Sequence, residues 1–318
     1  MAISIILPVL ISFAVSAMAG PFVIRRMTEL KASNTERKEG VSSHLKKAGT
    51  PTMGGIMILA GILVVCAIYI ALGYSKIVPV LVLTLGFGVI GFLDDYLKVA
   101  KHNSDGLLPW QKLLLQFAVT FLFWFLLDRA GVDLAMRIPF TGGKMWEIGF
   151  FAVPFLFIVV LATVNGVNFT DGIDGLAGTV TIVTAAFFLV SAALIRAGIE
   201  PVCGAVIGAL MGFLIYNAFP AKIFMGDTGS LALGGFVAGA AYMLQMPLYI
   251  LIVGFIYALE LVSVVLQVTY FKATHGKRIF KMTPIHHHFE LCGWSETRIV
   301  AIFTIITGLA ALAAMIRL

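Results

Sequence analysis

Ten long apolar segments, separated by short polar ones, dominate the chain. A helix needs about 20 apolar residues to cross the hydrocarbon core of a bilayer. The segments are 3–23, 53–72, 77–93, 107–127, 148–164, 176–195, 202–219, 231–246, 248–271 and 299–316, of which the third, fifth and eighth are short. None alternates apolar and polar residues as barrel strands do, so the pattern predicts an all-α polytopic membrane protein with about ten transmembrane helices.

The composition agrees with a chain embedded in lipid. Of the 318 residues, 60% are hydrophobic and 12% are charged, which is about half the charged fraction of an ordinary soluble domain. The largest polar segments, 24–52 and 272–298, are too short for a separate domain of ordinary size. We therefore expect one integral-membrane domain over residues 1–318, whose chemistry is built from helix ends and short loops.

The basic residues indicate how the bundle lies in the membrane. The loops after the odd-numbered spans, with the adjoining helix ends, hold 16 of the 22 lysines and arginines. The positive-inside rule places that side in the cytoplasm and both termini in the periplasm. All six histidines fall on the same side, so we expect a cytoplasmic active site in a bacterial inner-membrane protein. On the other side, residues 132–147 predict a short periplasmic β-hairpin around Gly142 and Gly143.

Two adjacent acids, Asp94 and Asp95, close the third predicted span. A helix C-terminus favours cations, so two carboxylates there are unfavourable unless a metal ion or a basic group relieves them. Mg²⁺ commonly binds one or two carboxylates together with substrate phosphates. A solvated helix end explains one such acid, whereas the pair favours a cation site.

A polar segment at 165–175 joins the fifth and sixth spans. It contains two asparagines, three glycines and the aspartates Asp171 and Asp174. The aspartates are three residues apart, so a helical start would bring both to one face. Asp174 alone is explained by an ordinary helix cap, but the density of polar groups favours a functional loop.

A third acidic helix end follows the seventh span, where Asn217 precedes the segment Phe-Met-Gly-Asp-Thr-Gly-Ser at 224–230. Glycines beside Asp227 let the backbone approach a ligand closely, and the next helix N-terminus offers free N–H groups to a phosphate. A capped tight turn is the alternative. The functional reading gains weight because this is the third acidic helix end on one face.

Three further features carry polar chemistry. Lys47, with the threonines that follow it, suits a diphosphate, or is one more basic residue of the inner side. The three consecutive side chains of His286–His288 should point in different directions, so hydrogen bonds or phosphate contacts suit them better than one zinc site. A passive polar loop is the alternative. Glu260 is the one acid inside a span, which makes it a functional candidate, although a structural hydrogen bond explains it equally well.

Together these segments resemble the MraY family of phospho-MurNAc-pentapeptide translocases, within the polyprenyl-phosphate N-acetylhexosamine-1-phosphate transferase superfamily. The similarity extends over essentially the whole chain. Its carriers are Gly-Thr-Pro-Thr-Met-Gly-Gly at 49–55, Asp-Asp-Tyr at 94–96, the segment 168–175, Met-Gly-Asp at 225–227 and Thr-Pro-x-His-His-His-Phe at 283–289. The triple histidine and the 49–55 run separate this family from its GlcNAc-transferring relatives.

The resemblance implies a reaction in peptidoglycan synthesis. Phospho-MurNAc-pentapeptide passes from UDP-MurNAc-pentapeptide to undecaprenyl phosphate, giving lipid I and UMP, with Mg²⁺ as cofactor. Membrane lipids surround the enzyme, a homodimer is implied, and no nucleic acid takes part. His102 stands where many members carry a lysine.

The resemblance also implies roles for individual residues. Asp227 would bind Mg²⁺, and Asp94, Asp95, Asp227 and His286 would take part in catalysis. Gly172, Ile173 and Phe224 would belong to a uridine pocket. The full set of expected substrate-binding residues is Lys47, Thr52, Lys98, Asn168, Asp171, Gly172, Ile173, Asp174, Asn217, Phe224, Gln267, His287 and His288.

Two mechanisms are open for this reaction. The acceptor is a phosphate monoester whose second pKa is about 6, so it is largely a dianion at neutral pH. We therefore favour its direct attack on the β-phosphorus of UDP, with Asp94 positioning it and removing any residual proton. The alternative makes an aspartate a covalent nucleophile.

Two other functions are open as well. A transporter would bind its substrate near the bilayer midplane, and only Glu260 fits that pattern. The 17 steps from Ile77 to Asp94 correspond to about 26 Å of helix, which puts the acids at the membrane surface. Within the same class, a relative that uses UDP-GlcNAc is the alternative, which competition between the two sugars would decide.

Overall fold

The computed structural model describes residues 2–30, 32, 47, 49–101 and 106–318. Over these ranges it contains twelve α-helices and one pair of short strands. The helices are α1 (Ala2–Glu29), α2 (Gly55–Ala71), α3 (Val78–Lys101), α4 (Pro109–Arg129), α5 (Ala152–Thr170), α6 (Leu176–Ile195), α7 (Glu200–Asn217), α8 (Gly226–Met243), α9 (Ile250–Val253), α10 (Phe255–Ala273), α11 (Ile285–Glu290) and α12 (Glu296–Ala314), and the strands are β1 (Met136–Arg137) and β2 (Met145–Trp146).

Eight of the described helices are long and apolar enough to cross a membrane, so the chain is a multi-pass membrane protein. They are α1, α3, α4, α5, α6, α7, α10 and α12. Of the other two predicted spans, α2 is apolar but has 17 residues. The other of these two, α8, is rich in glycine and alanine and is buried throughout from Thr228 to Met243. A total of ten spans therefore stays a prediction.

Helix α8 lies inside the bundle. It packs most extensively against α3 and α5, and also contacts α2 and α6. A Cβ at Gly91 of α3 would come 2.0 Å from the carbonyl oxygen of Asp227, and one at Gly55 of α2 would come 2.2 Å from the nitrogen of Gly229. Small residues permit such close helix packing within membranes. These two glycines therefore bring the start of α8 against α2 and α3.

The prediction that Asp94 and Asp95 close the third helix is wrong. Helix α3 continues to Lys101, so Asp94 and Asp95 lie about two turns before its C-terminus and not at it. The last turn instead carries Lys98 and Lys101, as the helix dipole favours. The apolar run ends at Leu93, but the helix does not, because a helix leaving the bilayer can continue with polar residues.

Two other predicted features differ. The ninth span is not one helix: α9 ends at Val253 and α10 starts after Gly254, where a Cβ would meet the carbonyl oxygen of Ile250 at 2.7 Å. The segment 171–175 is not helical either, because Gly175 adopts a left-handed φ of 79° before α6 begins. Asp171 and Asp174 therefore do not share a helical face.

The pair of strands lies within the segment that predicted a hairpin. Strand β1 pairs with β2 in antiparallel register, with Arg137 opposite Met145. Gly142 and Gly143, in the connecting turn, have φ angles of 71° and 87°, which favour glycine. The nitrogen of Arg137 donates to the carbonyl oxygen of Gln245 at 2.7 Å. The hairpin therefore contacts the segment after α8, at the end of α8 opposite to Asp227.

Candidate active site

Three carboxylates from two helices lie together at one end of the bundle. Asp94 and Asp95 belong to α3 and Asp227 to the first turn of α8, and one oxygen of each lies within 4.8 Å of the others. Asp94 and Asp95 are only 3% and 4% exposed. Because α3 and α8 touch at Gly91, helix packing fixes this cluster. An oxygen-only donor set of this kind fits a hard cation such as Mg²⁺.

Two lysines balance part of this negative charge. Lys98 places its Nζ 2.6 Å from Asp94 Oδ2 and 3.3 Å from Asp227 Oδ2. Lys112, in the first turn of α4, lies 2.7 Å from the same Asp227 oxygen. Sequence reasoning missed Lys112, which it counted only among the basic residues of the inner side. The position of Lys112 near the start of a predicted helix was the sequence feature that could have indicated this role.

Asp95 fixes the start of α8. Its carboxylate accepts hydrogen bonds from the nitrogens of Asp227 and Thr228, at 3.2 and 2.9 Å, and from the Thr228 hydroxyl at 2.7 Å. It thus does for α8, from another helix, what an N-cap side chain normally does. The hydroxyl of Thr52 is buried nearby: a Cβ at Gly226 would lie 2.6 Å from Asp95 Oδ2 and 2.9 Å from Thr52 Oγ1.

The last turn of α5 and the loop after it face the same cluster. Asn168 donates to Asp227 Oδ1 at 2.9 Å and to Ser230 Oγ at 2.8 Å. Asp171 is half-buried. Burial raises the pKa of the Asp171 carboxyl well above its usual range, and the negative charges of Asp227, Asp95 and Asp174 raise it further. The site therefore contains a carboxyl that holds its proton more strongly than an ordinary aspartate.

A second ion-pair group surrounds Lys47. Its Nζ lies 2.8 Å from Asp174 Oδ1 and 2.6 Å from Glu296 Oε2, and 5.7 Å from the ring centre of Phe219. Burial works to lower the pKa of Lys47, but the hydrogen bonds that Lys47 donates to both carboxylates, together with their negative charges, outweigh it and the pKa is raised. Asp174 also accepts from the nitrogen of Ala221 at 2.9 Å. Glu296 was not predicted as a site residue; it lies three residues before the last predicted span.

Asn217 and Phe224 tie the loops together. Asn217 accepts from the nitrogen of Gly175 at 3.1 Å and donates to the carbonyl oxygen of Ile223 at 2.9 Å. The nitrogen of Phe224 donates to the carbonyl oxygen of Pro51 at 2.8 Å. These bonds join the segment before α2 to the loops that precede α6 and α8.

His286 connects α11 to the loop after α5. The ring is fully buried, and its Nδ1 lies 3.1 Å from Glu260 Oε1 in α10. A Cβ at Gly172 would come 2.1 Å from its Nε2, so the ring edge lies directly against that glycine. Ile173, next in the loop, is 5% exposed. Glu260 thus has a partner, which the sequence did not reveal.

The other two histidines have different partners. His287 Nδ1 lies 2.7 Å from Glu290 Oε2, and His288 Nδ1 accepts from the nitrogen of Lys281 at 3.1 Å. The three rings therefore have three different partners, while the ring centres of His286 and His287 lie 4.1 Å apart. Among the described residues, the group that could hold a metal ion contains no histidine.

Gln267 holds the segment before α11. Its Oε1 accepts from the nitrogens of Ile279 and Phe280, both at 3.0 Å, and its Nε2 donates to the carbonyl oxygen of Phe280 at 3.1 Å. Since Gln267 lies on α10, these bonds fix residues 279–280 to that helix.

Comparison with known proteins bears on the whole chain. Residues 77–245 match the family model for glycosyl transferase family 4, and residues 47–59 match signature 1 of phospho-N-acetylmuramoyl-pentapeptide-transferase. The chain is 44% identical over 316 residues to the phospho-N-acetylmuramoyl-pentapeptide-transferase of Clostridium kluyveri, covering 99% of each protein. It is 46% identical over 305 residues to that of Clostridium perfringens strain 13, covering 95% of each. The chain belongs to the phospho-N-acetylmuramoyl-pentapeptide-transferase family.

A third relative extends the same result. The phospho-N-acetylmuramoyl-pentapeptide-transferase of Clostridium botulinum strain Alaska E43 is 48% identical over 306 residues, which cover 94% of this chain and 91% of that protein. The family 4 match includes Asp94, Asp95 and Asp227, and the signature includes Lys47 and Thr52. The family resemblance expected from the sequence is therefore confirmed.

The structure brings most of the expected site residues of this phospho-N-acetylmuramoyl-pentapeptide-transferase family member into three adjoining groups. The first group, called the acidic cluster, consists of Asp94, Asp95 and Asp227 with Lys98, Asn168, Asp171 and Thr52. Lys47, Asp174 and Asn217, with Phe224, form the second group, and Gly172 and Ile173 with His286 form the third. Gln267 and His288 bond to residues 279–281 instead, and the ring of His287 lies beside that of His286 in the third group. His102 lies outside the described residues.

Proposed function

We propose that this chain transfers phospho-MurNAc-pentapeptide from UDP-MurNAc-pentapeptide to undecaprenyl phosphate, forming lipid I and releasing UMP. Family membership over nearly the full chain supports the reaction for which the relatives are named. The observation that carries the site is the buried group of Asp94, Asp95 and Asp227, which comes from two helices and adjoins two lysines.

Mg²⁺ is the proposed cofactor, with Asp227 as its ligand and Asp94 and Asp95 beside it. Three carboxylates without sulfur or imidazole donors support a hard cation over zinc. When bound, Mg²⁺ would neutralise charge on the diphosphate during phosphoryl transfer.

The remaining chemistry is assigned to side chains. Asp94 positions the lipid phosphate and takes any residual proton, and the largely dianionic phosphate attacks the β-phosphorus directly. Lys98 and Lys112 stabilise negative charge on the reacting phosphates. Asp95 and Asn168 hold Asp227 in place through the bonds described above.

The other expected residues bind the nucleotide sugar. Gly172, Ile173 and Phe224 are proposed to contact uridine, and the Lys47 group and the polar residues near it to contact the diphosphate and sugar. The remaining proposed binding residues are Thr52, Asp171, Asp174, Asn217, Gln267, His286, His287 and His288.

The arrangement in the membrane is also a proposal. We infer ten spans, an active site on the cytoplasmic side and both termini in the periplasm, supported by the distribution of lysine and arginine. The homodimer implied by the family resemblance stays a prediction, which the molar mass of the detergent-solubilised protein measured by light scattering would test.

The decisive experiment measures UMP release from UDP-MurNAc-pentapeptide by purified protein in detergent. Release should require both undecaprenyl phosphate and Mg²⁺, and excess UDP-GlcNAc should not compete. Absence of UMP release from the wild-type protein would overturn the proposed function, and transport of the substrate without cleavage would favour a transporter.

Asp227→Asn tests the metal role. We expect it to abolish UMP release, because it removes the carboxylate proposed to bind Mg²⁺. Asp128→Asn, at an exposed position at the end of α4, is the matched control and should retain full activity. Near-normal turnover by Asp227→Asn would contradict the role of Asp227.

A single-turnover reaction without the lipid acceptor separates the two mechanisms. Direct attack predicts no UMP release and no labelled protein when the nucleotide sugar alone is mixed with enzyme and Mg²⁺. A phospho-sugar trapped on an aspartate would instead establish the covalent route.

A further inference from the structure

Glu260 and His286 form a pair that is closed off from solvent. Both side chains are 0% exposed, and Nδ1 of His286 lies 3.1 Å from Oε1 of Glu260. Glu260 belongs to α10, one of the helices long and apolar enough to span the membrane. An ionised carboxylate in such a place is expensive unless a partner compensates its charge.

The charge of the pair determines which nitrogen carries a proton. If Glu260 is ionised and His286 is neutral, the pair has a buried net charge of minus one. Two arrangements with no net charge are a carboxylate with a doubly protonated ring, and a protonated carboxyl that donates to Nδ1. In both, Nε2 of His286 carries a hydrogen. A protonated carboxyl that accepts from Nδ1–H is neutral too, but its hydrogen would then lie on Oε2, which is buried and has no hydrogen-bond partner among the described residues. Burial of the pair therefore favours Nε2–H.

This Nε2 has no hydrogen-bond partner within the described part of the chain, although it is buried. A buried donor without a partner is unfavourable. The nitrogen lies against Gly172, where an added Cβ would come within 2.1 Å. Gly172 follows Asp171, whose carboxyl interacts electrostatically with Asp227 and Asp95. The missing acceptor therefore belongs beside the acidic cluster, where the substrate is proposed to bind.

We propose that Glu260 is a positioning residue, which keeps a hydrogen on Nε2 of His286 so that this nitrogen donates a hydrogen bond to an oxygen of the nucleotide diphosphate whose uridine lies beside Gly172. The inference rests on the proposed function, since it takes the nucleotide from that reaction. Glu260 itself touches no substrate; it acts through the imidazole ring.

Three variants test the proposal: Glu260→Gln, His286→Ala and the double variant. Glutamine keeps the size of the side chain, but its amide can either donate to Nδ1 or accept from it, so Nε2–H is no longer enforced. We expect Glu260→Gln and His286→Ala each to lower kcat/KM and to weaken UDP binding, by roughly 10- to 100-fold for His286→Ala, as for loss of a hydrogen bond to a charged group. The double variant should be no worse than His286→Ala alone.

A spectroscopic signature separates positioning from a merely structural role. Nitrogen NMR of the histidine-labelled protein should show Nε2 of His286 carrying a hydrogen in wild type. In Glu260→Gln it should show a mixture of rings with the hydrogen on Nε2 and on Nδ1, because the amide can pair with either form.

Ser263→Ala is the matched control. Ser263 is buried on the same helix and its hydroxyl donates to the carbonyl oxygen of Glu260 at 2.7 Å. It should retain wild-type kcat/KM and UDP affinity.

Three results would overturn the proposal: unchanged kcat/KM and UDP affinity in Glu260→Gln, additive losses in the double variant, or the same His286 nitrogen signals in Glu260→Gln as in wild type. UDP binding is measured by calorimetry without turnover. A wild-type protein that binds UDP but releases no UMP would therefore count against the proposed function and not against the Glu260–His286 pair.

Discussion

Asp171 shows most clearly how a residue proposed to bind substrate can lower the stability of the protein. Its carboxyl lies near three other acids, and both burial and their charges raise its pKa. Above its unfolded-state pKa of about 3.9, such a group lowers the free energy of unfolding, because the native protein binds the proton more tightly than the unfolded chain. This cost grows as the pH rises towards the native pKa.

We therefore expect Asp171→Asn to be more stable than wild type near neutral pH when divalent cations are removed by EDTA. A gain of about 1 kcal/mol would raise Tm by roughly 2 °C in a chain of this size. The gain should disappear below about pH 4, where the carboxyl is protonated in both states. UMP release should fall in the same variant.

Thermal unfolding in detergent, followed over a pH series, checks this expectation. Asp128→Asn, which changes an exposed aspartate, should leave Tm unaltered. A Tm for Asp171→Asn equal to or below that of wild type near neutral pH would contradict the argument.

Individual partners were the least predictable part of the site. Lys112 meets Asp227, and Glu260 meets His286, across sequence separations of 115 and 26 residues. Such contacts depend on which helices are neighbours and on how each is rotated, and neither follows from apolar periodicity when a helix is apolar on most sides. The types of residue were predictable from the sequence; their pairing was not.

At the level of elements, the approach of α8 to α3 decides where Asp227 lies. Gly91→Ala should disrupt that approach, because the new Cβ would come 2.0 Å from the carbonyl oxygen of Asp227, which is backbone and cannot rotate away. We expect UMP release to fall at least 10-fold and Tm to fall, since overpacking of a tight interface costs about 1–3 kcal/mol.

Gly88→Ala, on the same helix, provides the comparison. Its Cβ would come 2.9 Å from Cδ1 of Leu59, the far end of a flexible side chain, so a change of rotamer relieves the contact. Activity of Gly88→Ala should stay within about twofold of wild type. Equal activities of the two variants would show that the Gly91 contact does not position Asp227.

The helices themselves were largely predictable, and their ends were not. Lipid demands long apolar runs, so each predicted span corresponds to helical structure, even α2 and α8, which fall short as spans. Outside the bilayer a helix does not need apolar residues. Helix α3 therefore continues through Asp95 to Lys101 without an apolar signal, and Gly254 interrupts a run that looked uniform.

For the whole molecule, the three cysteines allow the proposed orientation to be tested without engineering. Cys66 and Cys203 are buried and Cys292 is exposed. Cys292 follows α11 and should face the cytoplasm. A membrane-impermeant maleimide should therefore label the protein in inside-out vesicles and not in intact spheroplasts.

The reverse pattern is expected for the hairpin. Lys144→Cys combined with Cys292→Ser places one exposed thiol in the turn between the two strands, and it should be labelled in spheroplasts only. Labelling of both positions from the same side would contradict the proposed arrangement.

The enclosure of α8 has a consequence for biosynthesis. A glycine-rich segment of this composition would partition poorly into lipid alone, yet it carries Asp227 at its start. The helices it packs against most extensively, α3 and α5, and its neighbours α2 and α6 all precede it in the chain. These helices leave the ribosome first, so they can form a protein-lined cavity before α8 is synthesised. Asp227, the proposed cation ligand, would then enter a bundle whose contacting helices are already in place.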